Sequence, residues 1–180
     1  MSDAITQLKD DHAKVEKLFK KYEDTTDRAV KTRRKLVDQM IEELSVHAAI
    51  EEQVFYPISR VLSDEAEEQT LESLEEHHLV KIVLAELTKL EPDDERFHPK
   101  VTVLMENIRH HVEEEENDLF PMVRQAFGRN DMSDLGDALS EARRLAPTRP
   151  HPGAPDTPPA NLASGLVAGI IDRIRSSLPV

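Results

Sequence analysis

Residues 47–57, HAAIEEQVFYP, return 64 positions later as HVEEEENDLFP at 111–121. Both copies read H-x-x-x-E-E-x-x-x-[YF]-P, and the alignment needs no gap. A second echo, at an offset of 65, sets DHAKVEKLFKKY (11–22) against EHHLVKIVLAEL (76–87). It pairs Asp11–His12 with Glu76–His77, Val15 with Val80 and Tyr22 with Leu87. Apolar residues in these segments recur at three and four, as in Ile5, Leu8, Val15, Leu18, Phe19, Tyr22 and again in Leu71, Leu74, Val80, Val83, Leu84, Leu87, Leu90. That is the period of an amphipathic helix. The repeat therefore describes two helix pairs related by a pseudo-two-fold. Each pair brings one His on its first helix and a His-x-x-x-Glu on its second.

The expected fold is all-α, an up-down four-helix bundle. Gly128 and Gly136 are the only glycines in residues 1–146, and no alternating strand pattern is present. The links are EDTTD (23–27), the capping stretch SDEAEE (63–68) with Ser63 or Asp64 at the helix start, and EPDDERFHP (91–99). Pro57 and Pro121 fall late in the second and fourth helices and should kink or end them. GRNDMSD (128–134) reads as a link to a short fifth helix over about 133–145. Residues 1–146 thus form the bundle, 147–160 a Pro-rich linker, and 161–180 a helical C-terminal tail with Leu162, Leu166, Ile170, Ile174 and Leu178 on one face. The tail has three readings: against its own bundle, against a second copy to give a homodimer, or on a membrane surface. Docking on protein is expected, because Arg173 and Arg175 are few for anionic lipid.

Composition narrows the chemistry. There is no cysteine, so thiolate ligands and a cysteine nucleophile are excluded. The net charge of −13 opposes binding to a phosphate backbone but suits a metal cation. The N-terminus, MSDAITQLKDDH, lacks an apolar signal core, and there is no apolar run of about eighteen residues. A cytoplasmic location is the expectation.

Residues four apart share one helix face, about 6 Å apart along the axis. His47 with Glu51, and His111 with Glu115, can therefore enter one site, joined by His12 and His77. Buried glutamates are costly without a cation, and two metals would supply it. Imidazole with carboxylate suits iron, and also manganese or zinc. If both glutamates bridge, the protein offers about eight donors where two six-coordinate ions need about twelve. A shared oxo or hydroxo bridge fills one position on each ion, and about one position per ion stays open.

The pattern H…H-x-x-x-E…H…H-x-x-x-E, with FYP and LFP after the second and fourth helices, resembles the hemerythrin-like HHE cation-binding domain over about residues 1–125. The resemblance implies a non-haem di-iron centre held by His12, His47, Glu51, His77, His111 and Glu115. It also implies small diatomic or peroxide ligands. The favoured expectation is redox chemistry on hydrogen peroxide or nitric oxide. The alternative is non-enzymatic binding or sensing of dioxygen or nitric oxide, or the holding of iron. Oxygen carriers of the family have a fifth His four residues after the third-helix His, and an Asp after the fourth-helix His. Here the first of these positions is Lys81, or Ile82 counted from His78, which favours a more open and reactive centre.

Several neighbours need placing. The repeat selects His77 over His78 and His111 over His110, since adjacent helical residues point about 100° apart. Glu52, Glu113, Glu114 and Glu116 read as solvated surface. Tyr22 and Tyr56 read as core, with a role at the site as the alternative. Asp118, Glu16 and Glu43 have the spacing to support an imidazole, but Glu16 and Glu43 read first as solvated or partly so. His98 and His151 lie beside prolines and read as loop residues.

Overall fold

A computed structural model describes residues 3–153 together with Gly169 and Ile171. The all-α expectation holds. Helix α1 is Ala4–Glu23. Helix α2 runs Val30–Ile50, passes through a π-helical turn at Glu51–Phe55 and continues as Tyr56–Ser59. Helix α3 is Asp64–Leu87. Helix α4 is Phe97–Glu114, with a second π turn at Glu115–Leu119 and a final segment Phe120–Ala126. Helix α5 is Arg129–Leu145.

The caps follow from residue chemistry. The Asp3 carboxylate accepts from the Thr6 N–H, and the Ser63 hydroxyl accepts from the Ala66 N–H at 3.1 Å. Asp64, Glu65 and Glu67 then occupy the first turn of α3, where the helix dipole favours them. Helix α2 starts after Ala29 without a side-chain cap, so the EDTTD stretch ends α1 and does not cap α2.

Two helix starts differ from expectation, and of the two outcomes expected at the prolines one is absent. Helix α5 begins at Arg129, immediately after Gly128, so most of GRNDMSD is helix. Polar composition in a first turn looks like a loop, yet Asp131 suits that turn. Helix α4 begins at Phe97, which puts His98 in a first turn, with Pro99 where its missing N–H costs nothing. Neither Pro57 nor Pro121 ends its helix. In both cases a π turn precedes the proline and the chain continues helically.

The helices run antiparallel, and two apolar clusters fill the bundle. One holds Leu8, Ile50, Leu74 and Leu119 and is closed by Met132, Leu135 and Leu139 of α5. The other holds Val15, Leu44, Val80 and Ile108, with Phe19, Tyr22 and Phe97 beyond them. The four sequence-selected histidines fall between these clusters on their helices. Fully burying such a side chain contributes about 1.5–3 kcal/mol, so the apolar layers carry the fold and flank a polar layer. Leu71, assigned to the apolar stripe of α3, is 44% exposed, as are the neighbouring Leu79 and Ile82 to similar degrees. Ile171 is half-buried against the cluster closed by α5. The other tail residues, including those on its apolar face, lie outside the described residues.

Candidate metal centre

All six sequence-selected residues converge in the polar layer, and all are buried. Their donor atoms form two groups, within each of which the atoms lie no more than 4.8 Å apart. One group is His12, His47, Glu51 and Glu115. The other is Glu51, His77 and His111. Glu51 belongs to both. Glu115 Oε2 lies 3.4 Å from His12 Nε2 and 3.5 Å from His111 Nε2, so the second glutamate also spans the two halves.

Each imidazole turns Nε2 inward and Nδ1 toward a carboxylate. His12 meets Glu116 at 2.9 Å, His47 meets Asp11 at 3.4 Å, His77 meets Glu52 at 3.1 Å and His111 meets Glu76 at 2.7 Å. The pattern obeys the repeat. Asp11 and Glu76, each one residue before a ligand-candidate His, hold the His on the partner helix of the same pair. Glu52 and Glu116, each one residue after a ligand-candidate Glu, hold the first-helix His of the other pair. Fixing Nδ1–H on a carboxylate leaves the Nε2 lone pair facing the centre.

These contacts correct the surface assignment of Glu52 and Glu116. Periodicity alone puts a residue 100° away from its neighbour, and both glutamates adjoin a buried one. The missed signal was in the repeat itself, which kept the second Glu of E-E in both copies. Glu113 is exposed and Glu114 half-exposed. Asp118 is exposed, Glu16 is paired with Arg109, and Glu43 with Lys14, so none of these three carboxylates is seen holding an imidazole. His77 is buried while His78 is half-exposed, and His110 is exposed. Tyr22 points away from the site, its hydroxyl 3.3 Å from His98 Nδ1.

Tyr56 meets both of its readings: it is buried in an apolar cluster and it also reaches the site. Its hydroxyl donates to Glu115 Oε1 at 2.9 Å and lies 3.2 Å from His77 Nε2. In an unbroken α-helix Tyr56 would sit about 140° around from Glu51. The π turn, closed by the Tyr56 N–H to Glu51 carbonyl bond, brings it back toward the same face. In the other half the same turn lays Phe120 parallel to His12, with ring centroids 5.7 Å apart. At this position the two halves differ by one hydroxyl. Lys81, at the position where oxygen carriers have a fifth His, does not face the centre. Its ammonium holds Glu52 at 2.7 Å, behind His77.

The electrostatics fit a cation. Glu51 Oε1 is buried with no hydrogen-bond donor, and Glu51 Oε2 and Glu115 Oε2 are buried with only imidazole Nε2 atoms beside them, His47 at 3.1 Å and His12 at 3.4 Å, a costly setting for two carboxylates unless positive charge lies between them. Burial would raise the Glu115 pKa, but His111, His12 and His47 hold it well below the usual range. Burial would lower that of His47, but Glu51 and Asp11 raise it to about 10. Likewise Glu115 and Glu76 overcome burial at His111 and lift it to about 9. The raised His47 and His111 thus offset the charge of the buried glutamates in the metal-free protein. Burial, with Glu115 and Glu51 nearby, pushes the Tyr56 hydroxyl well above its ordinary value, which keeps it a donor.

The family model for the hemerythrin HHE cation-binding domain matches residues 3–123. The chain belongs to that family. Among its relatives is an uncharacterised hemerythrin-like protein of Schizosaccharomyces pombe, 29% identical over 99% of this chain and 86% of that protein. A protein of a Nostoc species named a DNA nickase is 32% identical over 63% of this chain, which spans only 31% of that protein's length. The crystal structure of a hemerythrin HHE cation-binding domain-containing protein from Mycobacterium kansasii superposes with a TM-score of 0.68. The match covers 81% of this chain and 87% of that one at 22% identity, a likeness of fold. The chain is thus a hemerythrin-like cation-binding domain whose His and Glu clusters are candidates for metal. Among the described residues no helix is long and apolar enough to cross a membrane.

Proposed function

We propose that this hemerythrin-like domain holds two iron ions, one in each overlapping group, and performs redox chemistry on hydrogen peroxide or nitric oxide. The observation that carries the reading is the pair of buried donor groups sharing Glu51, a fully buried carboxylate whose Oε1 has no hydrogen-bond donor. Iron bound there would supply exchange between ferrous and ferric states to a small molecule. His12 and His47 would hold one ion, His77 and His111 the other, with Glu51 and Glu115 shared between them. Asp11, Glu52, Glu76 and Glu116 keep the four imidazoles aimed inward. Tyr56 offers a phenol oxygen beside His77, in the half where Lys81 stands in place of an imidazole. The apolar clusters on either side keep bulk water from the polar layer. Small diatomic or peroxide ligands fit this setting. A nucleic-acid partner does not fit the charge of −13. A cytoplasmic setting and a homodimer through the tail complete the reading.

One observation favours a second reading, in which the domain binds or senses a diatomic gas or holds iron without turnover. The four carboxylates around the imidazoles are each engaged by an Nδ1, and Tyr56 by Glu115, so a dedicated proton donor for turnover is not evident among the described residues. Iron-loaded protein given excess peroxide, with and without nitric oxide, separates the two. Repeated peroxide loss with oxygen evolution supports the enzyme; a single stoichiometric reaction refutes it.

A further inference from the structure

A centre this buried needs a way in, and the two halves of the repeat differ in what they offer. We propose that the cleft between α1 and α4 is the entrance to the centre for small uncharged molecules, with Glu116 as its latch. A cavity of about 350 Å³ lies there, walled by Val15, Phe19, Ile108 and Val112, and buried His12 is part of its lining. That volume is at the lower end of ligand sites, about 300–1,000 Å³. Glu116 links the rim to His12: one carboxylate oxygen takes His12 Nδ1 at 2.9 Å, the other takes Lys9 Nζ at 3.0 Å.

The repeat provides an internal control. On the α2–α3 face Glu52 stands to His77 as Glu116 stands to His12, with Lys81 as its cation. There both side chains are shut in, Lys81 at 12% and Glu52 at 9% exposure. At the α1–α4 face Lys9 is 45% and Glu116 29% exposed. A carboxylate held at a wet rim can swing out with its lysine, whereas one clamped in the interior stays put. The cleft also has a chemical preference. Its walls are apolar, and the cations at its mouth are paired, Arg109 with Glu16 and Glu23 and Lys9 with Glu116. No uncompensated charge at this mouth would draw an anion, so a dissolved gas or neutral peroxide passes more readily than a charged ligand.

The rate test rests on the metal-centre reading above. Val112→Trp fills the cleft, Ala13→Phe narrows its exposed rim, and Val103→Trp, elsewhere on α4, is the control. Iron-loaded full-length protein is mixed anaerobically with dissolved nitric oxide in a stopped-flow instrument, and iron content is measured on the same samples. Val112→Trp should slow association by about tenfold or more, Ala13→Phe by less, and Val103→Trp not at all, with iron content and spectrum unchanged. Lys9→Ala, which frees Glu116, should speed it several-fold, by about half a decade. Wild-type rates in every variant at wild-type iron content would overturn the proposal. A second readout needs no iron. In full-length protein from iron-poor, zinc-supplemented medium, dissolved dioxygen should broaden the methyl resonances of Val15, Ile108 and Val112 more than those of their counterparts Val80, Leu44 and Ala48. Equal broadening would overturn the entrance whether or not the chain retains metal, so its failure is separable from a failure of the metal reading.

Discussion

Glu52 and Glu116 read as surface in the sequence and hold ligand-candidate imidazoles in the structure, so they make a sharp test. Replacing Glu52 by Gln keeps size and an acceptor oxygen but removes the charge beside His77 Nδ1 and Lys81. Loss of such a partner typically costs 10–100-fold in metal affinity, about 1.4–2.7 kcal/mol. Glu52 is buried with its lysine, so the change should fall at the upper end of that range, because water cannot take over either contact. Glu116→Gln should fall at the lower end, since Glu116 and Lys9 are partly solvated. Glu113→Gln, at an exposed position in the same acidic run, should cost nothing measurable. Competition for metal against a chelator of known affinity gives all three values, and thermal melting of the same samples reports any loss of fold. Equal affinity in the three variants, or the largest loss in Glu113→Gln, would refute the assignment of these carboxylates.

Tyr56→Phe makes the second half match the first, where Phe120 occupies the equivalent place. It leaves Glu115 Oε1 without its donor, which should destabilise the metal-free protein by about 1–3 kcal/mol and shift the absorption spectrum of the metal-loaded form; denaturant melts and spectra check both. Metal-free protein should lose stability as pH rises. His47 and His111 titrate at about 10 and 9 when folded, against 6.5 for an ordinary imidazole. Their contribution is therefore complete below about pH 6.5 and lost as pH climbs through 9 to 10, and urea midpoints at pH 6, 8 and 10 should fall in that order. The same protons compete with metal, so metal affinity should rise over that interval. Leu84→Ala, in the apolar cluster on α3, should cost about 2–5 kcal/mol without changing the metal count.

The periodicity of α1 and the exact recurrence of H-x-x-x-E-E were enough to lay out the bundle and bring His12, His47, Glu51, His77, His111 and Glu115 into one layer. What escaped has a physical reason in each instance. By composition Glu52 and Glu116 look solvated, as acids next to other acids do. Only the tertiary arrangement shows each one reaching across to the other pair's histidine. Tyr56 is core as its composition suggests, but its reach to Glu115 is not legible, because straight helical geometry turns it away from Glu51. The π turn that returns it involves main-chain bonding between Glu51 and Tyr56, and its one sequence mark is the proline that follows. The start of α5 escaped because a polar first turn resembles a loop. Lys81 is legible as a departure from the oxygen carriers, but its partner Glu52 cannot be read from spacing on a single helix.

Glu51 belongs to both donor groups, so the central claim meets its most direct test in one measurement: iron per chain, with the absorption spectrum, for wild type and Glu51→Ala expressed in iron-rich medium. The account predicts two irons per wild-type chain with a near-ultraviolet band, and loss of both together in the variant. Wild-type protein that retains no metal, or a Glu51→Ala protein that keeps both ions, would contradict it.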